Sequence, residues 1–202
     1  MNTLLARLVV VALSLLLQMC TAPVRADAAK TCGGAKTNVT WIYHGGTMSS
    51  YWPHDYSFGD LHVDYDDKTG APIDGKHDIK ITSKLYAGWQ PASIHSSFDI
   101  AGCKYLTFAL KPTHAKQRWH ASFLYVGDVP TDVIVFVTSS AYGPAEPTPG
   151  EWSTYKIPLA DFFPNGAVPK TIYKFFIQDM SGIADNGSQN VWYIDSVGFS
   201  AD

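Results

Sequence analysis

Short runs in which apolar and polar side chains alternate recur along the chain from residue 79 onward. In KYLTFALKP, Leu106, Phe108 and Leu110 form the apolar side of such a run. Runs of this kind, rich in β-branched and aromatic residues and separated by turns about every ten positions, are typical of strands in an antiparallel β-sandwich or barrel. The pattern recurs in DIKITSKLY, SIHSSFDI, RWHASFLYVGD, DVIVFVTSS, EWSTYKIPL, TIYKFFIQD and VWYIDSVGF. The sequence therefore predicts an all-β protein.

The pattern also makes finer predictions. In SIHSSFDI, Ile94, Phe98 and Ile100 are expected on one side of a strand, and LADFF is expected to form a single helical turn between strands. No helix of ordinary length is predicted. The region before residue 79 is crowded with aromatic residues, glycines and aspartates, and it is expected to form loops with one or two strands.

The N-terminus has the features of a secretory signal peptide. Arg7 supplies a basic region, residues 8–17 an apolar region, and residues 24–26 a small-residue cleavage site. Residues 1–26 are therefore predicted to be removed, leaving one β-sandwich domain over residues 27–202 that is secreted or periplasmic. Lipidation at Cys20 is the alternative, although Met19 is large for such a site. Asn38 and Asn186 begin sequons, and their glycosylation is left open.

The charge of the chain indicates which ligands it can bind, and its cysteines indicate a disulfide. The formal charge of −3 becomes more negative once Arg7 and Arg25 are removed, which disfavours nucleic acids and anionic membranes. Arg118 is then the remaining arginine, so bidentate clamps for carboxylate or phosphate are scarce and a neutral partner is favoured. Cys32 and Cys103 remain after cleavage, and in an oxidising compartment they are expected to form a disulfide. The protein is expected to be a monomer that does not insert into membranes.

Catalytic signatures are weak. The glutamates are Glu146 and Glu151, both beside a Pro-rich loop, and no paired carboxylate site for glycoside hydrolysis is evident. The seven histidines show no metal-ligand spacing. A jelly-roll polysaccharide lyase or hydrolase that uses His95 or His120 with a nearby tyrosine is kept as an alternative. A structural or adhesive surface protein is a second alternative.

The tryptophan residues are the main candidates for ligand binding that the composition offers. The six tryptophans all follow the predicted signal peptide. Sugar rings stack on aromatic planes, and their hydroxyls bind neutral polar groups, so a sugar site is an apolar platform with a few polar side chains around it. Trp152 and Trp192 are assigned to the core. The residues predicted to bind the ligand are Trp52, Trp89, Gln90, His95, Trp119, His120, Gln178 and Asp179.

The segments EWSTYKIPLADFF, IYKFFIQDMSG and VWYIDSVGF together resemble the C-terminal half of galactose-binding-like, jelly-roll carbohydrate-binding modules. The resemblance covers residues 79–202. It implies a non-catalytic sandwich whose concave sheet binds a glycan, here predicted to be a neutral polysaccharide or oligosaccharide. It also implies a structural calcium with Asp195 as a ligand; the alternative for Asp195 is a buried acid satisfied by backbone donors. Phe175 and Ile177 are expected inside the sandwich, with Gln178 and Asp179 at its rim.

Overall fold

The computed structural model describes residues 31–34, 38–73, 75–95, 97–124, 133–181 and 189–202. The predicted signal peptide, Cys20 and Asn186 lie outside these residues. The strands are β1 (Val39–His44), β2 (Thr47–Met48), β3 (His54–Asp55), β4 (Leu61–Asp67), β5 (Asp78–Ser83), β6 (Gly88–Trp89), β7 (Pro91–Ala92), β8 (Phe98–Asp99), β9 (Tyr105–Pro112), β10 (Trp119–Leu124), β11 (Val135–Phe136), β12 (Ser153–Pro158), β13 (Thr171–Ile172), β14 (Lys174–Asp179) and β15 (Asn190–Ser200).

One sheet has seven strands in the order β12-β9-β15-β1-β2, with β5 also paired to β15 and β4 paired to β5. All of its pairs are antiparallel. The long strand β15 is its centre. The β15–β9 register shifts between Asp195 and Gly198, where Ser196 has a φ of 52°. Such a bulge bends a strand and increases its twist, which helps the sheet to wrap around the core.

The second sheet has six strands in the order β11-β10-β14-β7-β3, with β6 also paired to β14. The inner sides of the two sheets enclose one core of buried apolar side chains. Trp52, Phe175 and Phe199 meet in it with ring centroids 5.8–6.3 Å apart. Each buried aromatic ring removes about 150–250 Å² from water, which makes these rings dominant contributors to the stability of the core. The predicted antiparallel β-sandwich is confirmed.

Several local predictions are confirmed. Leu106, Phe108 and Leu110 are buried, as are Phe175 and Ile177. LADFF forms a 3-10 turn at Leu159–Phe162. Cys32 and Cys103 form a disulfide that spans 71 positions of sequence. It ties the N-terminal segment to the residues just before β9.

Other local predictions are wrong. Among the described residues of SIHSSFDI, a strand forms at Phe98 and Asp99 alone. Ile94 is exposed rather than packed beside Ile100, which is buried. Trp192 is in the core, but Trp152 is only partly covered and donates its indole N–H to the Ala71 carbonyl oxygen. No helix in the described part of the chain is long and apolar enough to cross a membrane.

Candidate functional site

The side chains of β10 divide between the two sides of the six-stranded sheet. Successive residues of a strand point to opposite faces. Trp119, Ala121 and Phe123 belong to the core. His120 and Ser122 therefore lie on the side of the sheet that faces away from the core.

The neighbouring strand β14 divides in the same way. Its residues Phe175 and Ile177 are in the core. The register places His120 opposite Gln178 and Ser122 opposite Phe176, so Gln178 and Phe176 share the outward side with the β10 residues. This brings an imidazole and an amide side by side in the middle of the sheet.

Aromatic rings flank these polar groups. Phe136 is 64% exposed and packs edge-on against His120, with ring centroids 4.2 Å apart. Phe58 packs edge-on against Phe176 at 5.6 Å. Phe58 also covers Gly88, where an added Cβ would lie 2.5 Å from the Phe58 ring, so a side chain at that position would displace the ring.

Two tyrosines and a lysine complete this side near β3. Tyr56 is 47% exposed, and its ring lies 6.4 Å from that of Tyr173. The Lys174 ammonium lies 5.1 Å from the Tyr56 ring centroid and 5.2 Å from that of Tyr173. Such a cation is attracted by the electron-rich ring faces. The outer face is defined here as Tyr56, Phe58, Tyr86, His120, Ser122, Phe136, Tyr173, Lys174, Phe176 and Gln178.

Tyr86 stands at one end of the outer face in an unusual backbone conformation. Its φ is 67°, in the left-handed region that bulky residues rarely adopt. Gln178 Nε2 donates a hydrogen bond of 2.8 Å to the Tyr86 carbonyl oxygen, and the Tyr86 N–H donates to the Asp179 carbonyl oxygen at 2.9 Å. The side chain is 59% exposed. The sheet thus holds a strained, solvent-facing ring in place, which is the kind of strain that concentrates at functional positions.

The surroundings of His120 favour its neutral form. Burial lowers the pKa of its imidazole, because a charged ring would lose hydration in this position. A neutral imidazole offers one N–H donor and one nitrogen acceptor. His120 and Gln178 therefore provide the outer face with uncharged hydrogen-bonding groups, which suits sugar hydroxyls.

The predicted tryptophan platform is wrong. Trp52, Trp89 and Trp119 are each fully buried. Trp119 packs against Trp192 with ring centroids 5.8 Å apart, and Trp89 packs edge-on against Phe175 at 5.9 Å. Trp89 on β6 and Trp119 on β10 point between the sheets. Trp52, in the segment before β3, packs into the same core, where a large apolar ring stabilises the protein most.

Asp179 is also buried, contrary to its predicted place at the rim. Its carboxylate accepts hydrogen bonds from Ser83 Oγ at 2.9 Å and Asn190 Nδ2 at 2.7 Å, and from the Ser181 hydroxyl. These bonds link β14 to β5 and β15. Asp179 is therefore a structural acid whose buried oxygens are satisfied by hydrogen-bond donors.

Gln90 and His95 lie away from the polar centre of the outer face. Gln90 is buried, and its backbone positions the 56–58 segment: its carbonyl oxygen accepts from the Tyr56 N–H, and its own N–H donates to Ser57 Oγ. His95 is exposed and lines a cavity of about 430 Å³ together with Tyr51 and Asp99. Of the eight predicted ligand residues, the structure brings His120 and Gln178 together on the outer face.

Asp195 is fully buried on β15. Its Oδ2 accepts from the Ile73 N–H at 3.0 Å and its Oδ1 from the Ser196 N–H at 2.5 Å. Calcium requires six to eight oxygen ligands. Among the described residues, no group of three or more His, Cys, Asp or Glu side chains is arranged to hold a metal ion. The observed contacts match the alternative of a buried acid satisfied by backbone donors, and calcium binding stays a prediction from the resemblance.

The residues that sequence reasoning missed are the phenylalanines and tyrosines of the outer face. Phe176 alternates with the core residues Phe175 and Ile177, which is a readable signal for an outward ring. Tyr56 and Phe58 lie outside any period-two run, and no local signal marks them. Phe136 ends a strand of only two residues. Its place beside His120 depends on pairing between β10 and β11.

No protein-family model and no curated protein matches the sequence. Among solved structures, a family 29 carbohydrate-binding module is 14% identical over 81% of this chain and 88% of its own, with a TM-score of 0.50. A mutant family 29 module complexed with mannohexaose is 14% identical over 81% of this chain and 90% of its own, with a TM-score of 0.50.

An exo-β-agarase structure is 9% identical over 82% of this chain and 25% of its own, again with a TM-score of 0.50. At these identities the likeness concerns the fold. The chain therefore has the antiparallel β-sandwich fold found in carbohydrate-binding modules.

Proposed function

We propose that this protein binds a neutral polysaccharide or oligosaccharide on its outer face without cleaving it. The observation that carries the proposal is the joint placement of exposed rings and uncharged polar groups on one sheet surface. Tyr56, Tyr86 and Phe136 supply rings, and His120 and Gln178 supply hydrogen-bonding groups between them. Apolar platforms with a few convergent polar groups are typical of small-ligand sites.

The charge of the outer face favours a neutral ligand. Lys174 is its charged member, and that side chain is mostly buried against Tyr56 and Tyr173. A uronate or sulfate group would need an accessible cation, preferably arginine. One solved structure of the same fold is complexed with mannohexaose, a neutral oligosaccharide. This supports the proposed ligand class.

The proposed place of action is outside the cytoplasm. The disulfide between Cys32 and Cys103 is compatible with an oxidising compartment, where such bonds persist. The signal peptide predicted over residues 1–26 agrees with export. Polysaccharide ligands in the extracellular space or periplasm would then be accessible to the outer face.

Ring removal tests the proposal directly. We expect Phe136→Ala and Tyr56→Ala each to weaken glycan binding by about 5- to 150-fold, since aromatic stacking on ring-shaped ligands contributes about 1–3 kcal/mol per ring in comparable sites. Affinity electrophoresis against soluble glucans, mannans and galactans selects the ligand, and calorimetry with the matching hexasaccharide measures the affinity. Trp41→Ala is the control, because this 37% exposed ring lies on β1 of the other sheet.

Equal losses in Trp41→Ala and Phe136→Ala would contradict the placement of the site. Absence of binding to every glycan tested would overturn the proposed function. In that case the exposed rings would instead support the structural or adhesive alternative.

Gln178 is expected to act mainly through Tyr86, because its amide N–H group already donates to the Tyr86 carbonyl oxygen. Gln178→Ala removes the hydrogen bond to the Tyr86 carbonyl oxygen and should weaken glycan binding by about 2- to 10-fold, the range expected for one net hydrogen bond. A double-mutant cycle with Tyr86→Ala separates the two roles. A positioning role predicts that the double variant binds about as weakly as Tyr86→Ala alone. Additive losses would show that Gln178 contacts the glycan itself.

A further inference from the structure

The two sheets are bridged by side chains at one open edge of the sandwich. There β3 ends the six-stranded sheet and β4 ends one side of the seven-stranded sheet. The Tyr65 hydroxyl on β4 donates a hydrogen bond of 2.7 Å to Asp55 Oδ2 on β3, and it accepts one of 3.0 Å from Trp89 Nε1. Because the phenol both donates and accepts, its orientation is set by its partners.

Asp55 lines two cavities along this edge. A cavity of about 290 Å³ is walled by Met48, Ser50, Trp52 and Tyr65, among others. A second, of about 360 Å³, is walled by Ser57, Leu61 and His62, among others. Each is close to the lower bound of about 300 Å³ for small-ligand sites. The two cavities that share Asp55 are called the edge groove below.

The chemistry of the edge groove differs between its halves. The first cavity presents apolar surface from Met48 and Pro53, and the buried Trp52 ring lies beneath it. The second cavity is lined by polar groups such as Ser57 and His62. An exposed carboxylate that already accepts from Tyr65 and from the Ser57 N–H lies between them.

We propose that the edge groove is a second saccharide site, separate from the outer face, that binds two successive residues of a neutral saccharide. The apolar cavity receives the C–H face of one sugar ring. Asp55 accepts hydrogen bonds from hydroxyls of both sugar residues, since each carboxylate oxygen has more than one acceptor position. The negative charge of Asp55 repels uronate and sulfate groups, so acidic sugars are excluded. This proposal does not depend on the outer face, because none of the groove residues named above belongs to it.

Disaccharide titrations test the edge groove. The probes are cellobiose, mannobiose and lactose, followed by backbone amide NMR shifts and calorimetry on the mature protein. We expect one of them to shift the amides of Ser50, Ser57 and His62. Asp55→Ala should weaken that binding by about 10- to 100-fold, as expected for lost hydrogen bonds to a charged acceptor. Ser50→Trp, which fills the apolar cavity from an exposed turn, should block it without removing Asp55.

Two control variants separate this site from the outer face. Asp60→Ala removes an exposed carboxylate that pairs with Lys84 at 2.5 Å, and it should leave disaccharide binding unchanged. Phe136→Ala should also leave it unchanged, even where it abolishes binding of long glycans. Disaccharide binding that survives both Asp55→Ala and Ser50→Trp would overturn the proposal. So would groove amides that remain unshifted by saturating concentrations of every disaccharide probe.

Discussion

Replacing Trp119 with alanine is expected to lower the free energy of unfolding by about 3–5 kcal/mol, the usual cost of truncating a buried aromatic ring. The ring is fully buried and packs against Trp192. Its indole nitrogen has no hydrogen-bond partner among the described residues, so the expected loss comes from apolar burial and from the cavity left behind. Since whole domains are stable by about 5–15 kcal/mol, this is a large fraction of the total. Urea unfolding followed by tryptophan fluorescence measures the change.

Glycan affinity should separate Trp119→Ala from Phe136→Ala. The folded fraction of Trp119→Ala is expected to bind glycan within about 2-fold of the wild type, because its ring faces away from the outer face. Phe136→Ala should show the reverse, with stability changed by no more than about 0.5 kcal/mol, as is usual for exposed positions. Trp119→Phe, which keeps a ring in the core, should recover much of the lost stability. A Trp119→Ala protein that is fully stable but unable to bind glycan would contradict this division.

The class of fold could be predicted because strand alternation is a local property. The run KYLTFALKP carries its own evidence in Leu106, Phe108 and Leu110, and the structure places a strand there with those side chains buried. The disulfide was equally predictable, since the predicted removal of residues 1–26 leaves two cysteines, which allow one pairing. The short strands β6 and β7 were not predictable, because a strand of two residues is defined by its partner rather than by any pattern of its own.

The candidate site was harder to predict because function depends on which side of a strand faces outward. Trp119 and His120 are adjacent, yet one is in the core and the other is on the outer face. The apolar set formed by Trp119, Ala121 and Phe123 does indicate the inward side of β10, so that assignment was available from the alternation. For Trp52 and Trp89 no comparable run exists. Abundant tryptophan indicated aromatic chemistry, but here the rings available to a ligand come mainly from tyrosine and phenylalanine.

The second large expected effect is a pH dependence of the free energy of unfolding, caused by a buried acid on β5. Asp78 is fully buried, and neither of its oxygens has a hydrogen-bond donor among the described residues. Burial, the adjacent negative charge of Asp67 and then that of Asp195 raise its pKa to about 7. When Asp78 is neutral, its proton can be shared with the Asp67 carboxylate. Asp67 behaves oppositely: burial favours its neutral form, but hydrogen bonds from Thr69 and Gly70 outweigh burial and lower its pKa.

Asp78→Asn should therefore become progressively more stable than the wild type as pH rises. Between the ordinary value of 3.8 and about 7, folded Asp78 keeps a proton that the unfolded chain has released, so wild-type stability falls with rising pH. At about 1.4 kcal/mol per pKa unit, the loss of wild-type stability accumulates to about 4 kcal/mol by neutral pH.

The side chain of the Asp78→Asn variant is uncharged at every pH, so the variant does not undergo this pH-dependent loss of stability. Urea unfolding at pH 4, 5.5, 7 and 8 should show a stability difference that grows by about that amount. Asp60→Asn, which removes an exposed ion pair with Lys84, should differ from the wild type by no more than about 1 kcal/mol. If the stability difference between Asp78→Asn and the wild type stayed constant with pH, Asp78 would ionise as readily in the folded protein as in the unfolded chain. Its burial beside Asp67 would then not destabilise the charged carboxylate.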